Sequence, residues 1–267
     1  MIYTRKTISN PVRFEGVGLH SGVAVTMTIH PSNGGIAFRL GSERVTASPD
    51  NVTDTNRRTR LGSINTVEHI MSALAGLEIT DAEVELSAPE VPGADGSSIP
   101  FVKLLQTAGF ENGEEQTVPD LYRRLYPPSE TSSISIAKGT GHWRYTFETG
   151  DRWPGTQTFE LESVVSGYVD QIAPARTTAF SFELEAAEKL GLGKGLDKDS
   201  VLILDPEGYR FPARFPDEPA RHKLLDLIGD LYLTGIPIRA LDVVSSKSGH
   251  TANVQAAMML KSATSAK

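Results

Sequence analysis

The feature that most constrains the fold is the order in which two hydrophobic periodicities follow one another along the chain. Apolar and polar residues alternate over residues 23–29, as in a half-buried strand, whereas residues 65–75 carry an apolar stripe at helical spacing. The same order of strands and then helices recurs after residue 130. This pattern is typical of α+β domains rather than of a doubly wound sheet. We therefore predict two α+β domains, similar in pattern although no residue-level repeat is visible.

The remaining predicted elements place the division between these domains. Further strands are predicted at 36–40, 82–86, 133–137, 143–149, 158–161, 201–204 and 238–244, and further helices at 101–107, 182–190, 220–234 and 252–260. Residues 111–115 are acidic and contain glycine, and the segment Tyr126-Pro127-Pro128-Ser129 cannot continue a helix, so the boundary is expected between about 111 and 130. We predict an N-terminal domain at 1–115, a linker at 116–130 and a C-terminal domain at 131–267.

Composition excludes several classes of site and partner. The 267 residues include no cysteine, so disulfides, thiol nucleophiles, iron–sulfur clusters and cysteine zinc sites are excluded, and any metal must be held by His, Asp or Glu. The net charge of −7 argues against a general nucleic-acid binder. No apolar run approaches the ~18 residues of a membrane helix, and no signal peptide is visible at the start. We expect a cytoplasmic protein without a transmembrane segment.

The first candidate site lies at the start of the helix predicted at 65–75. The apolar stripe of this helix places His69 on the opposite side, with Glu68 at its flank. Asn65 and Glu68 have the spacing of a capping box, which would make His69 an ordinary exposed histidine. Taken alone, this segment favours the capping interpretation over a metal site.

The second candidate is the polar stripe of the helix predicted at 220–234. His222, Asp226 and Asp230 are spaced i, i+4 and i+8, and the opposite face is strongly apolar. A solvated face is the ordinary interpretation, but no Lys or Arg within the stripe balances its acids. Gly229 in mid-helix costs about 1 kcal/mol relative to Ala, which indicates that something approaches the helix closely. A site and a solvated surface are about equally supported.

The third candidate is His250, at the end of a glycine-containing loop between a predicted strand and a predicted helix. A turn with a helix-capping residue is the simple interpretation, and a catalytic acid or base is the alternative. The three segments together supply two histidines and a carboxylate. That is the composition of a catalytic zinc site with a position left for water, although the spacing of the residues alone does not prove it.

Six segments in order resemble the family of UDP-3-O-acyl-N-acetylglucosamine deacetylases. They are Gly-Val-Gly-Leu-His-Ser-Gly at 16–22, Thr-Val-Glu-His at 66–69, Ala-Asp-Gly-Ser at 94–97, Ile-Ala-Pro-Ala-Arg-Thr at 172–177, Arg-His-Lys through Ile-Gly-Asp at 221–230, and Lys-Ser-Gly-His at 247–250. The resemblance implies two α+β domains with helices packed between sheets and the active site at the domain interface. It also implies a zinc-dependent hydrolase that removes the N-acetyl group from an acylated UDP-sugar, the committed step of lipid A biosynthesis.

The resemblance also implies a role for each matching residue. His69, His222 and Asp226 would be the metal ligands, Glu68 the general base and His250 the general acid. The supporting roles would fall to Asp230, which orients His250, Thr177, which stabilises the oxyanion, and Lys223, which lies near the substrate phosphates. The metal would be Zn²⁺, although two histidines and an aspartate also accept Fe²⁺.

The chain departs from the family pattern at positions that affect the shape of the substrate pocket. Thr178 stands where the family usually has Phe, and the loop Gly193-Lys194-Gly195 differs from the usual glycine-rich sequence. One alternative is therefore an amidase on a related N-acetylated sugar nucleotide. Another is a non-catalytic sugar-nucleotide-binding relative, which would be expected to have lost ligand or base residues, and none is lost.

Overall fold

A computed structural model of the protein describes residues 1–265, which form mixed sheets and helices. Within this range the strands β1 to β16 span Ile2–Ile8, Val12–Val17, Ala24–His30, Ile36–Leu40, Glu43–Thr46, Val52–Asp54, Arg60–Leu61, Ala82–Leu86, Phe110–Thr117, Ser133–Lys138, Trp143–Glu148, Thr156–Leu161, Thr177–Phe180, Val201–Asp205, Gly208–Tyr209 and Leu241–Ser246. The helices α1 to α6 span Glu68–Gly76, Ile99–Thr107, Val164–Gly167, Leu184–Lys189, Glu218–Tyr232 and His250–Ser265. The predicted α+β class is confirmed.

The two largest sheets share one topology. The first has the strand order β2-β3-β8-β4-β5 and the second the order β10-β16-β11-β12. In each, the last strand in chain order (β8 or β16) lies between an earlier strand to which it is antiparallel (β3 or β10) and the next strand in chain order, to which it is parallel (β4 or β11). The first sheet has β2 as an additional edge strand. One helix precedes this central strand (α1 or α5) and another follows it (α2 or α6). The two halves are therefore similar in pattern, as predicted.

Each half carries an insertion immediately before its α1 or α5 helix. In the first half it is the short hairpin β6–β7, and in the second it is the three-stranded sheet β13-β14-β15 with α4. Strands β13 and β14 are parallel, and α4 lies between them in sequence. Both insertions contribute residues to the cavity described below.

The helices α1 and α5 pack against each other, and α5 also contacts β11 and β12. The apolar side of α1, which includes Ile70 and Met71, belongs to the same buried core as Met27 of β3 and Val84 of β8. The apolar side of α5 shares that core with Trp143 of β11. The helix pair therefore lies between the two large sheets.

Gly229 allows this close approach. A Cβ atom at Gly229 would overlap the main-chain carbonyl oxygen of Glu68 in α1. The close contact expected from a glycine in the middle of α5 is thus confirmed. Because Glu68 and His69 begin α1, the same contact sets the distance between these two residues and α5.

The acidic segment at 111–115, which the sequence places at the start of the boundary region, is a strand. It belongs to β9, which pairs antiparallel with β1 at the N-terminus. All eight residues of β9 are exposed, so no alternation of apolar and polar residues marks the strand. The division into domains at 1–115, 116–130 and 131–267 stays a prediction, and residues 266 and 267 lie outside the described part of the chain.

Other predicted elements differ from the structure mainly at their ends. The strand predicted at 238–244 begins as the 3₁₀ turn Ile238–Ala240, and the helix predicted at 182–190 begins as the 3₁₀ turn Ser181–Glu183. No helix within residues 1–265 is both long and apolar enough to cross a bilayer.

We predict that Gly229→Ala destabilises the protein, because the added methyl group forces α1 and α5 apart. Helix propensity alone would favour Ala by about 1 kcal/mol, whereas overpacking costs about 1–3 kcal/mol. Urea unfolding measures the difference. Gly208→Ala is the matched control, because a Cβ there meets no atom within 4 Å. A Gly229→Ala protein as stable as the wild type would contradict the close contact.

Candidate metal centre

Three side chains from α1 and α5 converge at the contact between these helices. The Nε2 atoms of His69 and His222 lie 3.6 Å and 3.4 Å from Oδ1 of Asp226. The two imidazole rings are edge to face, with 5.1 Å between their centroids. All three side chains are buried, and their ligand atoms lie close enough together to hold one metal ion.

This burial overturns the two surface interpretations of the sequence. His69 is 4% exposed and every residue of α1 is buried, so His69 is not an exposed histidine. No side chain caps α1, whose N-cap residue is Val67, so the capping-box interpretation of Asn65 and Glu68 is also wrong. The stripe of α5 is not solvated either, since Asp226 is 2% exposed. Asp226 faces His69 of α1, and Asp230 faces Thr59 and His250.

The donor set fits a divalent cation. Oδ1 of Asp226, which faces both Nε2 atoms, is buried without a hydrogen-bond partner. Buried polar atoms are rarely left unpaired, and a coordinated cation would satisfy this one. The Nδ1–H of His222 can donate to the carbonyl oxygen of Ala175 at 3.1 Å, which leaves the lone pair on Nε2. Burial lowers the pKa of His222 to about 4, although Asp226 opposes the shift, so the imidazole is neutral at pH 7.

Lys223 satisfies the second oxygen of Asp226. Its Nζ donates to Oδ2 at 2.9 Å. Burial would raise the pKa of Asp226, but His222 and Lys223 hold it well below its usual range. The stripe therefore does have a balancing cation, which the sequence interpretation missed because Lys223 reaches it from the adjacent position.

Glu68 lies beside the three converging side chains and is held from behind. Its Oε2 accepts a hydrogen bond from the main-chain N–H of Thr59 at 3.0 Å. Burial raises the pKa of Glu68, while His250 and His69 oppose the shift. Oε1 lies 3.9 Å from Nε2 of His250, so the carboxylate and the imidazole face each other.

His250 is the first residue of α6 and is oriented by Asp230. The Nδ1 of His250 lies 3.0 Å from Oδ2 of Asp230, which also accepts from Nδ2 of Asn253 at 2.9 Å. Burial opposes protonation of His250, but Asp230 and Asp226 outweigh it and raise its pKa to about 9. The imidazole is therefore protonated at neutral pH and able to donate a proton.

These groups open into one cavity of about 880 Å³. Thr177, the first residue of β13, lines it together with Lys223, Glu68 and His250. Asp230 does not line it and lies behind His250. Away from the polar end, much of the wall is apolar and comes from the second insertion, including Leu184, Leu192, Val201, Ile203 and Phe211.

The glycine-containing loop at 191–195 joins the second insertion to the first half of the chain. The main-chain N–H groups of Lys194 and Gly195 donate to the carbonyl oxygens of His20 and Leu19, both at 3.1 Å. A Cβ at Gly195 would overlap the carbonyl oxygen of Gly18. The motif at 16–22 therefore helps to hold the cavity wall, a role that its sequence alone did not indicate.

Two groups in the site were missed by sequence reasoning. Thr59 contacts Glu68, Asp230 and His250, and Asn253 contacts Asp230. Thr59 lies in the arginine-rich segment Arg57-Arg58-Thr59-Arg60, where no local sequence pattern indicates that it belongs to a site.

A second group of residues of metal-ligating types shares no residue with this centre. His142, Glu160 and Glu162 come close together beside the β11–β12 pair, but both glutamates are exposed. Such groups are common on protein surfaces without a bound metal, so a substitution in this cluster is a suitable control for substitutions in the buried centre.

We predict that metal content depends on the buried group. His222→Ala and Asp226→Ala should each lower bound Zn²⁺ well below one equivalent, because each removes one of three protein ligands. His142→Ala should keep the wild-type content. Elemental analysis after dialysis measures the difference. Full zinc content in a His69→Ala/His222→Ala protein would contradict the assignment.

Comparison with known proteins identifies the family of this chain. The family model of LpxC, described as UDP-3-O-acyl N-acetylglycosamine deacetylase, matches residues 5–262. The UDP-3-O-acyl-N-acetylglucosamine deacetylase of Neisseria meningitidis serogroup B is 37% identical over 93% of this chain and 87% of the relative. The enzymes of that name from Acidithiobacillus ferrooxidans and Myxococcus xanthus are each 35% identical, over 93% and 94% of this chain and 85% and 84% of the relative. The chain belongs to the UDP-3-O-acyl N-acetylglycosamine deacetylase family.

Proposed function

We propose that the protein hydrolyses the N-acetyl group of UDP-3-O-acyl-N-acetylglucosamine, the committed step of lipid A biosynthesis, with a metal held by His69, His222 and Asp226. The observation that carries the proposal is the meeting of this buried ligand set with Glu68 and His250 at the polar end of a largely apolar cavity. The names of the relatives describe a deacetylase of this sugar nucleotide, which supports the same reaction. A reaction of the purified protein with the acylated UDP-sugar, followed by mass spectrometry, tests it through the loss of one acetyl group.

The metal proposed is Zn²⁺, with Fe²⁺ as the alternative that the same ligands accept. When bound, such an ion lowers the pKa of a coordinated water towards about 7 and polarises the amide carbonyl. The neutral imidazole of His222 and the ionised carboxylate of Asp226 are the protonation states that ligation requires.

Glu68 is proposed as the general base. Its Oε1 lies 3.9 Å from Nε2 of His250, which also lines the cavity, while its Oε2 is held by the N–H of Thr59. The raised pKa brings the carboxyl group closer to neutral pH, which favours proton transfer from an attacking water. The fixed Oε2 leaves Oε1 as the atom that accepts the proton.

His250 is proposed as the general acid. Its Nδ1 is held by Asp230, so its Nε2 is the atom that delivers a proton to the leaving amine nitrogen. The raised pKa keeps that proton in place at neutral pH until the amine leaves. Glu68 would thus accept a proton and His250 would donate one, so the two groups have opposite tasks.

Thr177 and Lys223 are proposed to contact the substrate. Both line the cavity. The hydroxyl of Thr177 would donate to the oxygen that becomes negative during attack, an electrostatic contribution that is often large in acyl transfer. Lys223 already donates a hydrogen bond to Asp226. We expect its ammonium group to contact a substrate phosphate while keeping that hydrogen bond.

The apolar part of the cavity is proposed to hold the 3-O-acyl chain. Its wall is built by the second insertion, where β14 contributes Val201 and Ile203 and the preceding segments contribute Leu184 and Leu192. Binding of an acyl chain there would be stabilised by roughly 25 cal/mol for each Å² of apolar surface removed from water.

The expected location of the protein is the cytoplasm, and the expected partner is a small acylated UDP-sugar rather than a nucleic acid.

We predict that Glu68→Gln retains the metal and loses about 10²–10⁴-fold in kcat, because the amide cannot accept the proton. Elemental analysis and steady-state kinetics on one preparation separate the two properties. Glu188→Gln is the matched control, since Glu188 also lines the cavity but lies on the exposed helix α4. Near-normal turnover in Glu68→Gln would remove Glu68 from the mechanism.

We predict that Thr178→Phe lowers KM for the acylated substrate and leaves kcat nearly unchanged. Thr178 lines the cavity, and a ring there would add apolar contact of about 1–2 kcal/mol away from the reacting bond. The UDP-sugar without its acyl chain is the control and should show a smaller change. An unchanged or raised KM would favour the alternative of a different N-acetylated sugar nucleotide.

A further inference from the structure

We propose that Thr59 is a positioning residue that holds Glu68 and the His250–Asp230 pair in one fixed arrangement. The proposal rests on the roles given above to Glu68 and His250. Thr59 lies in the turn between β6 and β7 and is 0% exposed. Its hydroxyl and its main-chain N–H point to different parts of the site, so one residue joins two proposed catalytic groups that come from different helices.

The hydroxyl of Thr59 acts on Asp230. Its Oγ1 donates to Oδ1 of Asp230 at 2.5 Å and lies 3.3 Å from Nδ1 of His250. The other carboxylate oxygen, Oδ2, accepts from His250 and from Asn253. Asp230 is therefore held at both oxygens, and because it is 0% exposed, water cannot replace the Thr59 hydroxyl from bulk solvent.

The main chain of Thr59 acts on Glu68. The N–H of Thr59 donates to Oε2 of Glu68 at 3.0 Å, and the carbonyl oxygen of Thr59 accepts from the N–H of Val67 at 3.2 Å. These two bonds attach the β6–β7 turn to the start of α1. They do not depend on the side chain of Thr59, so a substitution there can remove the link to Asp230 while keeping the link to Glu68.

The consequence is a fixed separation between the base and the acid. Oε1 of Glu68 and Nε2 of His250 lie 3.9 Å apart. Thr59 holds Oε2 of Glu68 directly, and it holds His250 through Asp230. A misplacement of about 1 Å in a catalytic group can cost about 10²-fold in rate. Loss of the hydroxyl would free Oδ1 of Asp230, and the His250 ring would lose its fixed orientation.

The test compares Thr59→Val, which keeps the shape but removes the hydroxyl, with Thr59→Ser, which keeps the hydroxyl. Thr59→Val should lower kcat by about 10–100-fold, because small misplacements of a catalytic group have effects of this size. Bound metal should be retained, because Thr59 contacts none of the three proposed metal ligands. KM should change by less than about twofold, because substrate binding does not involve Thr59. Thr59→Ser should restore most of the lost kcat. If Thr59→Val does not fold, Thr59→Ala replaces it, because its smaller side chain cannot overpack the site.

Thr53→Val is the matched control. Thr53 belongs to the same insertion, and its hydroxyl contacts the carbonyl oxygen of Gly62 rather than any group of the site. Its kcat should equal that of the wild type. Thr59→Val with normal kcat, Thr59→Ser as impaired as Thr59→Val, or a change confined to KM would each overturn the proposal.

Crystal structures of the wild type and Thr59→Val separate this proposal from the proposed function. A wild-type protein that does not deacetylate the acylated UDP-sugar would contradict the function, and the positions of Asp230 and His250 would then decide the role of Thr59. The proposal expects the Asp230 carboxylate or the His250 ring to be displaced in Thr59→Val. Unchanged positions of both would overturn it whatever the activity.

Discussion

The close approach of α1 and α5 is the contact on which the rest of the site depends. At Gly229, the carbonyl oxygen of Glu68 occupies the space that any larger residue of α5 would need. That contact brings His69 from one half of the chain to His222 and Asp226 from the other. Because the two halves share a topology, the helices that meet are the equivalent helices of the two repeats. The site is thus built from the junction between the halves.

The same junction concentrates ionisable groups where water is scarce. Glu68, Asp226 and Asp230 are all buried within a short distance of His250 and Lys223. Burial of isolated charges is costly, and each of the two cations here has a carboxylate partner. Lys223 and Asp226 form one pair, and His250 and Asp230 form another. Oδ1 of Asp226 is left without a hydrogen-bond partner and faces the Nε2 atoms of His69 and His222, the residues that would hold a metal together with it.

The sequence was informative where a pattern is local. The stripe of His222, Asp226 and Asp230 and the glycine at 229 could be read directly, because all lie on one helix. The burial of these polar residues could not be predicted. An apolar stripe indicates that one face of a helix is buried, but it does not indicate whether the polar face is buried too. His69 was placed on a surface for this reason, and the resemblance to a known family was needed to connect it with α5.

Contacts between distant segments were beyond the sequence. Thr59 and Asp230 are separated by 171 positions, and nothing about a threonine among arginines indicates that its hydroxyl meets a buried carboxylate. Likewise, β9 is a strand because it pairs with β1 at the other end of the first half, although its exposed acidic residues resemble a linker. Such elements are specified by their partners rather than by their own pattern.

Anomalous diffraction from zinc-loaded crystals tests the central claim most directly, because it locates the metal without relying on activity. The account predicts one strong peak at the junction of α1 and α5, bound by Nε2 of His69, Nε2 of His222 and an oxygen of Asp226 at about 2.0–2.2 Å. A peak at His142, Glu160 and Glu162, with none between the two helices, would contradict it.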